Sequence, residues 1–150
     1  VLSKEFGVSN IPPLSPRYHI APSQPVAAVR AGPAGTGREF ALLRWGLIPS
    51  WSKNPSIGNR LINARAETAS EKPSFRNAFR RHRCLIPVSG FYEWKRQERG
   101  KQPYFVRMRD GRPFAFAGLW DRWESPGHGF SHRPDPREWI TAGARIRFSR

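Results

Sequence analysis

Apolar residues in the first third of the chain form two extended segments around a turn. Residues 18–30 read as an extended stretch with an apolar end at 26–29, and residues 31–37 are rich in glycine and proline. Residues 40–45 are again mostly apolar. This pattern predicts a β-strand that pairs with the first segment. Because glycine and proline favour tight turns, the pattern predicts a β-hairpin here.

One helix and three further strands are predicted in the middle of the chain. Pro73 is suited to open a helix in which Phe75, Ala78 and Phe79 share an apolar face. Strands are predicted at residues 84–94, 104–108 and 113–119, and Asp110-Gly111 is a strong turn signal between the last two. Many strands beside one clear helix predict an α+β domain built on a curled, mostly antiparallel β-sheet.

The pattern changes after residue 124. Residues 125–150 have no sustained period, contain Pro126, Pro134 and Pro136, and include only a short apolar cluster. We therefore predict one domain over residues 1–124. The remaining residues, 125–150, are expected to be a tail without a core of its own, either disordered or produced by a shifted reading frame.

The chain is strongly basic, with 26 Lys and Arg against 11 Asp and Glu and a net charge of +15. Such an excess indicates a polyanionic partner, and six Trp and ten Phe could stack on exposed bases. The alternative is that the basic residues only solvate the surface. With one cysteine, Cys84, and no apolar run of roughly 18 residues, we expect a cytoplasmic monomer with no membrane partner, associated with the nucleoid when bound to DNA.

Three segments carry the candidate chemistry, and the first, residues 45–51, is a rigid loop with two indoles. In an extended chain, alternation would send Asn63, Arg65 and Glu67 to one side of the backbone and the intervening alanines to the other. That row suits a groove, but a surface strand with an ion pair would have the same pattern. Glu93 lies between aromatic residues, and burial there would raise its pKa and suit it to proton transfer. A carboxylate paired with Lys95 is the alternative.

Several ordered blocks resemble the SOS-response-associated peptidase (SRAP) family across roughly residues 1–124. The matching blocks are RYHIAP (17–22), WGLIPSW (45–51), NARAET (63–68), EKPSF (71–75), RCLIP (83–87), GFYEWK (90–95), KQPYF (101–105) and FAGLW (116–120). The resemblance implies a partial SRAP domain with a barrel-like core and few short helices. It also implies binding to abasic sites in single-stranded DNA, with no cofactor and no metal.

The resemblance further implies a role for particular side chains. Family members use an N-terminal cysteine, whose amine and thiol condense with the ring-opened aldehyde of an abasic site into a thiazolidine DNA–protein crosslink. By the family pattern, Asn63 orients the amine and Glu93 moves protons. Arg65 holds a phosphate beside the lesion, and Pro22 and Trp94 shape the pocket. Trp51 is a further candidate for stacking on DNA.

The sequence departs from the family pattern at two catalytic positions. It begins at Val1 without the family's Met-Cys-Gly-Arg block, and no His-Asp-Arg-Met-Pro block follows residue 124. Cys84 is expected to be an inert thiol in a strand. We therefore expect a chain that binds DNA without crosslinking it. The alternative is a trimmed but catalytic family member with self-processing thiol peptidase and lyase activity.

The sequence gives only weak support to two other classes of function. A zinc-binding module would use the spacing of His82, Cys84, His128 and His132, which is weak and places a cysteine inside a strand. A peptidase acting on other proteins would need a surface cysteine paired with a histidine, which the pattern does not offer.

Overall fold

A computed structural model describes residues 2–124 and 138–143 of the chain. These described residues form eight strands: β1 (Pro25–Ala31), β2 (Arg38–Trp45), β3 (Asn63–Ala64), β4 (Arg83–Val88), β5 (Phe91–Arg96), β6 (Lys101–Val106), β7 (Phe114–Arg122) and β8 (Glu138–Gly143). The helices are short: α1 (Leu2–Phe6), α2 (Ala66–Ala69) and α3 (Arg76–Arg81), with 3₁₀ turns at Pro33–Gly35 and Pro55–Asn59.

Five strands close into a barrel. They pair in the order β2-β1-β4-β7-β8, and β8 also pairs with β2, which joins the two ends of the sheet. The β2–β8 pair is parallel and the other four pairs are antiparallel. β3 continues beside β8 in parallel, and β5 and β6 form a separate antiparallel hairpin. The predicted α+β fold with a curled, mostly antiparallel, barrel-like sheet is confirmed.

The first hairpin follows the predicted pattern. β1 and β2 pair from Pro25 opposite Arg44 to Ala31 opposite Arg38. The turn between them closes with a hydrogen bond from the Gly32 amide to the Gly37 carbonyl, 2.8 Å long. Gly37 has φ of 96°, a backbone conformation that residues with a Cβ rarely adopt, so glycine is required at this corner.

Strand direction defines two ends of the barrel. β1 and β7 begin where β2 and β4 end, because each is antiparallel to its neighbour. We call this the Trp45 end, after the last residue of β2. The opposite end, where β1 finishes and β4 starts, is the Arg30 end.

Apolar side chains fill the barrel and cover part of its outer surface. The inner cluster includes Leu43, Ile86 and Ile140, and full burial of each aliphatic side chain contributes about 1.5–3 kcal/mol. On the outside, Phe75 and Ala78 beside α3 pack against Leu119 of β7. This contact fixes the helical segment, and β3 before it, to the barrel wall.

β8 lies in the region for which the sequence predicts no element. Its six residues pair with β2, β3 and β7, and neither Ile140 nor Thr141 has exposed surface. The short apolar cluster is sufficient for a strand because neighbours on both sides satisfy its backbone. The domain boundary at residue 124 stays a prediction, and residues 125–137 and 144–150, with His128 and His132, lie outside the described residues.

Candidate functional site

Trp45 holds two of the predicted site segments at one end of the barrel. Its carbonyl accepts a hydrogen bond of 2.7 Å from the amide of Ser23, the residue after Pro22. Its indole Nε1 donates a hydrogen bond of 2.7 Å to the carbonyl of Ile62, the residue before Asn63. Pro22 and Asn63 are both exposed, so two predicted site residues stand at the surface next to one anchoring tryptophan.

The Asn63–Arg65 segment alternates as predicted. Ala64 is buried against the outer apolar cluster, whereas Asn63 and Arg65 are exposed. The row ends there, because Glu67 belongs to α2 and no longer follows strand geometry. In the part of the chain that the structure describes, Arg65 forms no ion pair, so the alternative of a surface strand with an ion pair lacks support.

Glu93 lies on the β5–β6 hairpin, opposite Tyr104. It is exposed, so the burial that the sequence argument required is not found. It also forms no ion pair with Lys95 among residues 2–124 and 138–143. The carboxylate therefore lies at the surface without an ion-pair partner among the described residues.

Trp94 points to the other side of the hairpin from Glu93, because successive strand residues alternate between faces. It shares that side with Pro103 and with Tyr92 and Phe105, whose rings are 5.2 Å apart between centroids. We call Tyr92, Trp94, Pro103 and Phe105 the aromatic face. All four are exposed, and Trp94 keeps 58% of its surface accessible.

The root of the hairpin is attached to the barrel through aromatic rings. Phe91 meets Phe114 and Phe116 of β7 edge to face, with centroid separations of 6.2 and 5.3 Å. Phe114 opens β7 opposite Val88, which closes β4, so this contact lies at the Trp45 end. The hairpin with Glu93 therefore leaves the barrel at the end where Pro22 and Asn63 stand.

The segments that carry the predicted site residues lie at one end of the barrel, but the side chains of these residues are not directly paired with one another in the described part of the chain. No hydrogen bond or ion pair joins Asn63, Arg65 and Glu93 to one another within the described residues. The structure brings the segments of Pro22, Asn63 and Arg65 together around Trp45, with the hairpin rooted at the same end. The roles of the individual side chains remain predictions.

Trp51 is presented by a loop that β7 fixes at two points. Asp121 Oδ2 accepts a hydrogen bond of 2.9 Å from the Ser50 amide, and Trp123 Nε1 donates one of 2.7 Å to the Ser52 carbonyl. Trp51, between these anchors, is 58% exposed. Sequence reasoning did not find the two anchors. A carboxylate within an otherwise apolar strand, as at Asp121, was the available signal.

Gly46 allows the chain to turn out of the barrel at the start of this loop. Its φ is 126°, and a Cβ at this position would lie 2.6 Å from the Gly58 carbonyl oxygen. Its amide donates a hydrogen bond of 2.8 Å to the Ile140 carbonyl, so the turn is also tied to β8. The backbones at Gly46 and Gly58, at the start and near the end of the loop 46–60, therefore pack closely against each other.

Cys84 lies inside the barrel and does not face any of these segments. It is buried in β4, and burial raises the pKa of its thiol to about 12, so it stays protonated at neutral pH. A protonated, buried thiol is neither a nucleophile nor a metal ligand, which agrees with the inert role expected for it.

The described residues offer neither a metal-binding cluster nor a helix that could span a membrane. Within residues 2–124 and 138–143, no group of three or more His, Cys, Asp or Glu side chains could hold a metal ion. His82, from the weak zinc pattern, instead has its Nδ1 3.5 Å from Asp121 Oδ1. In the same residues, no helix has the length and apolar character needed to cross a bilayer.

Comparison with known proteins gives related sequences. The abasic site processing protein YoqW of Bacillus subtilis is 46% identical over 112 residues, which are 74% of this chain and 49% of that protein. The abasic site processing protein HMCES of Xenopus tropicalis is 34% identical over 113 residues, covering 61% of this chain and 34% of its own length. The chain thus spans about half the length of the Bacillus subtilis relatives it matches.

Solved structures give the same fold. A crystal structure of a Bordetella bronchiseptica protein matches with a TM-score of 0.70 and 28% identity, over 95% of this chain and 65% of that one. A Bacteroides thetaiotaomicron protein matches with a TM-score of 0.68 and 30% identity, over 81% and 50%. The sequence model of the SOS response associated peptidase (SRAP) family matches residues 2–143. The chain belongs to the SRAP family.

Proposed function

We propose that this chain binds single-stranded DNA at abasic sites through the surface at the Trp45 end of the barrel. The observation that carries the proposal is the exposed Asn63–Arg65 pair, which is held beside Pro22 by the hydrogen bonds of Trp45. Arg65 is a cation without an ion pair among the described residues, as a phosphate ligand should be. Relatives named abasic site processing proteins support the lesion as the target.

The roles of the side chains are those that the family resemblance implies. Arg65 pairs with a phosphate beside the lesion, and Pro22 limits the space available to the sugar. Asn63 orients an amine by hydrogen bonding, and Glu93 moves protons as that amine adds to the lesion aldehyde. Among the 150 residues the only cysteine is Cys84, which is buried, so the step that these residues themselves can perform is binding.

In a chain with an accessible N-terminal cysteine, the chemistry would proceed in two steps. The amine attacks the aldehyde carbon and loses water to give a Schiff base. The thiol then adds to that carbon, its proton moves to nitrogen, and a thiazolidine closes. The family resemblance gives the proton transfers to Glu93, which is exposed and forms no ion pair within residues 2–124 and 138–143.

Aromatic side chains supply contacts to bases next to the lesion. Trp51 is held in place by the anchored loop, so little side-chain freedom is lost when a base stacks on it. Trp94 stands on the aromatic face, on the opposite side of the hairpin from Glu93. Stacking of one base contributes about 1–3 kcal/mol and does not depend on sequence.

The partner also determines where the protein works. A monomer with a net charge of +15 suits a strand of phosphates, and DNA in bacteria lies in the cytoplasm. We therefore infer a cytoplasmic monomer that associates with the nucleoid when bound to DNA. No cofactor is required for binding.

The test is an affinity measurement with a labelled single-stranded oligonucleotide that carries one abasic site. Arg65→Ala should weaken binding by about 10-fold, equal to roughly 1.4 kcal/mol, and should lower the salt dependence by one phosphate contact. Lys4→Ala is the matched control, because it removes an exposed charge on α1, which Arg38 at the start of β2 contacts, away from the Trp45 end. If the two variants bind equally well, Arg65 is not in the site.

A further inference from the structure

The tip of the β5–β6 hairpin places two positive charges directly opposite each other. Arg96, the last residue of β5, pairs with Lys101, the first residue of β6. Residues paired across two strands have their Cβ atoms about 4.5–5.5 Å apart, and like charges in such a pair destabilise it. Both side chains are exposed, and neither forms an ion pair in the described residues.

No acidic side chain of the hairpin offsets this pair. Between residues 90 and 106 the only acids are Glu93 and Glu98. Glu93 points to the opposite side of the hairpin, because it is an odd number of residues from Arg96 along β5. Glu98 lies between the two strands and forms no ion pair in residues 2–124 and 138–143. An unfavourable pair without compensation is typical of a functional site, and here it indicates an anionic ligand.

The charge pair and the aromatic face lie on the same side of the hairpin. Arg96 follows Tyr92 and Trp94 in one row, and Lys101 lies in the other row with Pro103 and Phe105. Neighbouring residues of one row are about 6.8 Å apart, which is two base-stacking steps of about 3.4 Å. The two rings of β5 are thus spaced as every second base of a stacked single strand.

We propose that this side of the hairpin binds the unpaired nucleotides next to the lesion, with Arg96 and Lys101 on phosphates and Tyr92 and Trp94 on bases. The inference rests on the proposed function, because it takes single-stranded DNA as the partner. Exposed rings beside unpaired cations match a strand that offers both base faces and phosphates. Bases inside a duplex are stacked on both faces, so only unpaired nucleotides can use the rings.

A bound phosphate would also offset the repulsion within the charge pair. Its negative charge between two cations replaces an unfavourable contact with two favourable ones. Without DNA, the hairpin should therefore be less stable than a variant that lacks one of the charges. Removing Lys101 should thus strengthen the free hairpin and weaken DNA binding, which a purely structural side chain would not do.

The first measurement is amide hydrogen exchange of the free protein. The test variant is Lys101→Gln, and Lys4→Gln on α1 is the matched control, because each removes the charge of one exposed lysine. In Lys101→Gln, exchange in β5 and β6 should slow about 1.4- to 5-fold, because the repulsion is lost. Lys4→Gln should leave exchange in the hairpin unchanged.

The second measurement is fluorescence anisotropy with a labelled single strand of about 12 nucleotides that carries a central abasic site. Lys101→Gln should lower the slope of log affinity against log salt by about 0.7, the value for one lost phosphate contact. Its gap to wild type should therefore narrow about 2.6-fold between about 50 and about 200 mM salt. Lys4→Gln should retain the wild-type slope.

The third measurement separates base stacking from phosphate binding. Inorganic polyphosphate carries phosphates without bases, and titration calorimetry measures its binding to the protein. Trp94→Ala should weaken binding of the labelled strand about 5- to 150-fold and leave the affinity for polyphosphate unchanged. Lys101→Gln should weaken binding of both.

The outcomes distinguish this inference from the proposed function. If Arg65→Ala weakens binding while Lys101→Gln matches Lys4→Gln, the hairpin is excluded and the proposed function stands. Faster exchange in Lys101→Gln contradicts the inference, because an unstable hairpin then explains any loss of affinity. An equal loss for strand and polyphosphate in Trp94→Ala excludes base stacking.

Two further results would overturn the inference. If Lys101→Gln loses binding only to vesicles of anionic phospholipid, and not to the labelled strand, the hairpin docks on a membrane. If the wild type does not bind the strand at all, the inference and the proposed function both fail.

Discussion

The barrel and the β5–β6 hairpin differ in where their apolar side chains lie. In the barrel, Leu43 and Ile140 have no exposed surface. In the hairpin, every β5 residue after Phe91 is exposed, and so is every β6 residue before Val106. Buried apolar surface stabilises a fold, whereas an exposed aromatic surface marks a place for contacts. The barrel therefore stabilises the fold, and the hairpin exposes its side chains to solvent, where they can make contacts.

The two regions also differ in how their strand edges are satisfied. Closure through the β2–β8 pair gives each of the five barrel strands a neighbour on both sides. Within the described residues, β5 and β6 pair only with each other. A two-stranded hairpin is marginally stable on its own, so this one depends on its attachment to β7 through Phe91.

The largest expected effect contrasts one residue from each region. Ile140→Ala should lower the free energy of unfolding by about 2–5 kcal/mol, since it opens a cavity beside the seam of the barrel. Trp94→Ala removes more atoms but should change stability by no more than about 0.5 kcal/mol, because its side chain is exposed. Urea unfolding of both variants measures the change in their free energy of unfolding. Similar losses in the two would mean that the hairpin supports the fold as much as the barrel does.

A second contrast concerns charge in the barrel interior. The Cys84 pKa is raised from 9.0 to about 12 by burial, so above pH 9 the unfolded chain loses a proton that the folded chain keeps. Stability is therefore unaffected below pH 9 and falls as pH rises from 9 towards 12. Between pH 8 and 10.5 the wild type should lose about 2 kcal/mol more than Cys84→Ala in urea unfolding. Parallel losses in both proteins would rule out Cys84 as the cause.

Local patterns predicted the elements that depend on neighbouring residues. The β1–β2 hairpin followed from its Gly- and Pro-rich turn, and Asn63, Ala64 and Arg65 alternate as expected. The helix at α3 was also found, but it begins at Arg76 and has only six residues. Phe79 therefore stays partly exposed, although the apolar pattern placed it on the packed face.

Long-range contacts explain what the pattern missed. β8 is a strand because β2, β3 and β7 pair with it, and none of them is close to it in sequence except β7. Asp121 and Trp123 position the Trp51 loop by bonding backbone atoms 71 residues earlier. Aromatic residues flank Glu93 in the sequence, but the hairpin stands away from the barrel and leaves the carboxylate exposed.

The smallest expected effect lies at the joint between the two regions. Phe91→Leu keeps an apolar side chain but removes the edge-to-face contacts with Phe114 and Phe116, and an aromatic pair contributes about 0.5–1.5 kcal/mol beyond its buried area. The hairpin should open more often while the barrel stays closed. Amide hydrogen exchange in β5 and β6 should then speed up about 2- to 10-fold, with exchange in β1, β4 and β7 unchanged.

Tyr104→Leu is the matched control, because Tyr104 is exposed and makes no ring contact in residues 2–124. It should leave exchange in both regions close to that of the wild type. If Phe91→Leu instead speeds exchange in barrel and hairpin together, the two regions unfold as one unit. The hairpin would then be part of the stabilising core despite its exposed side chains, and the distinction between a supporting barrel and a presenting hairpin would not hold.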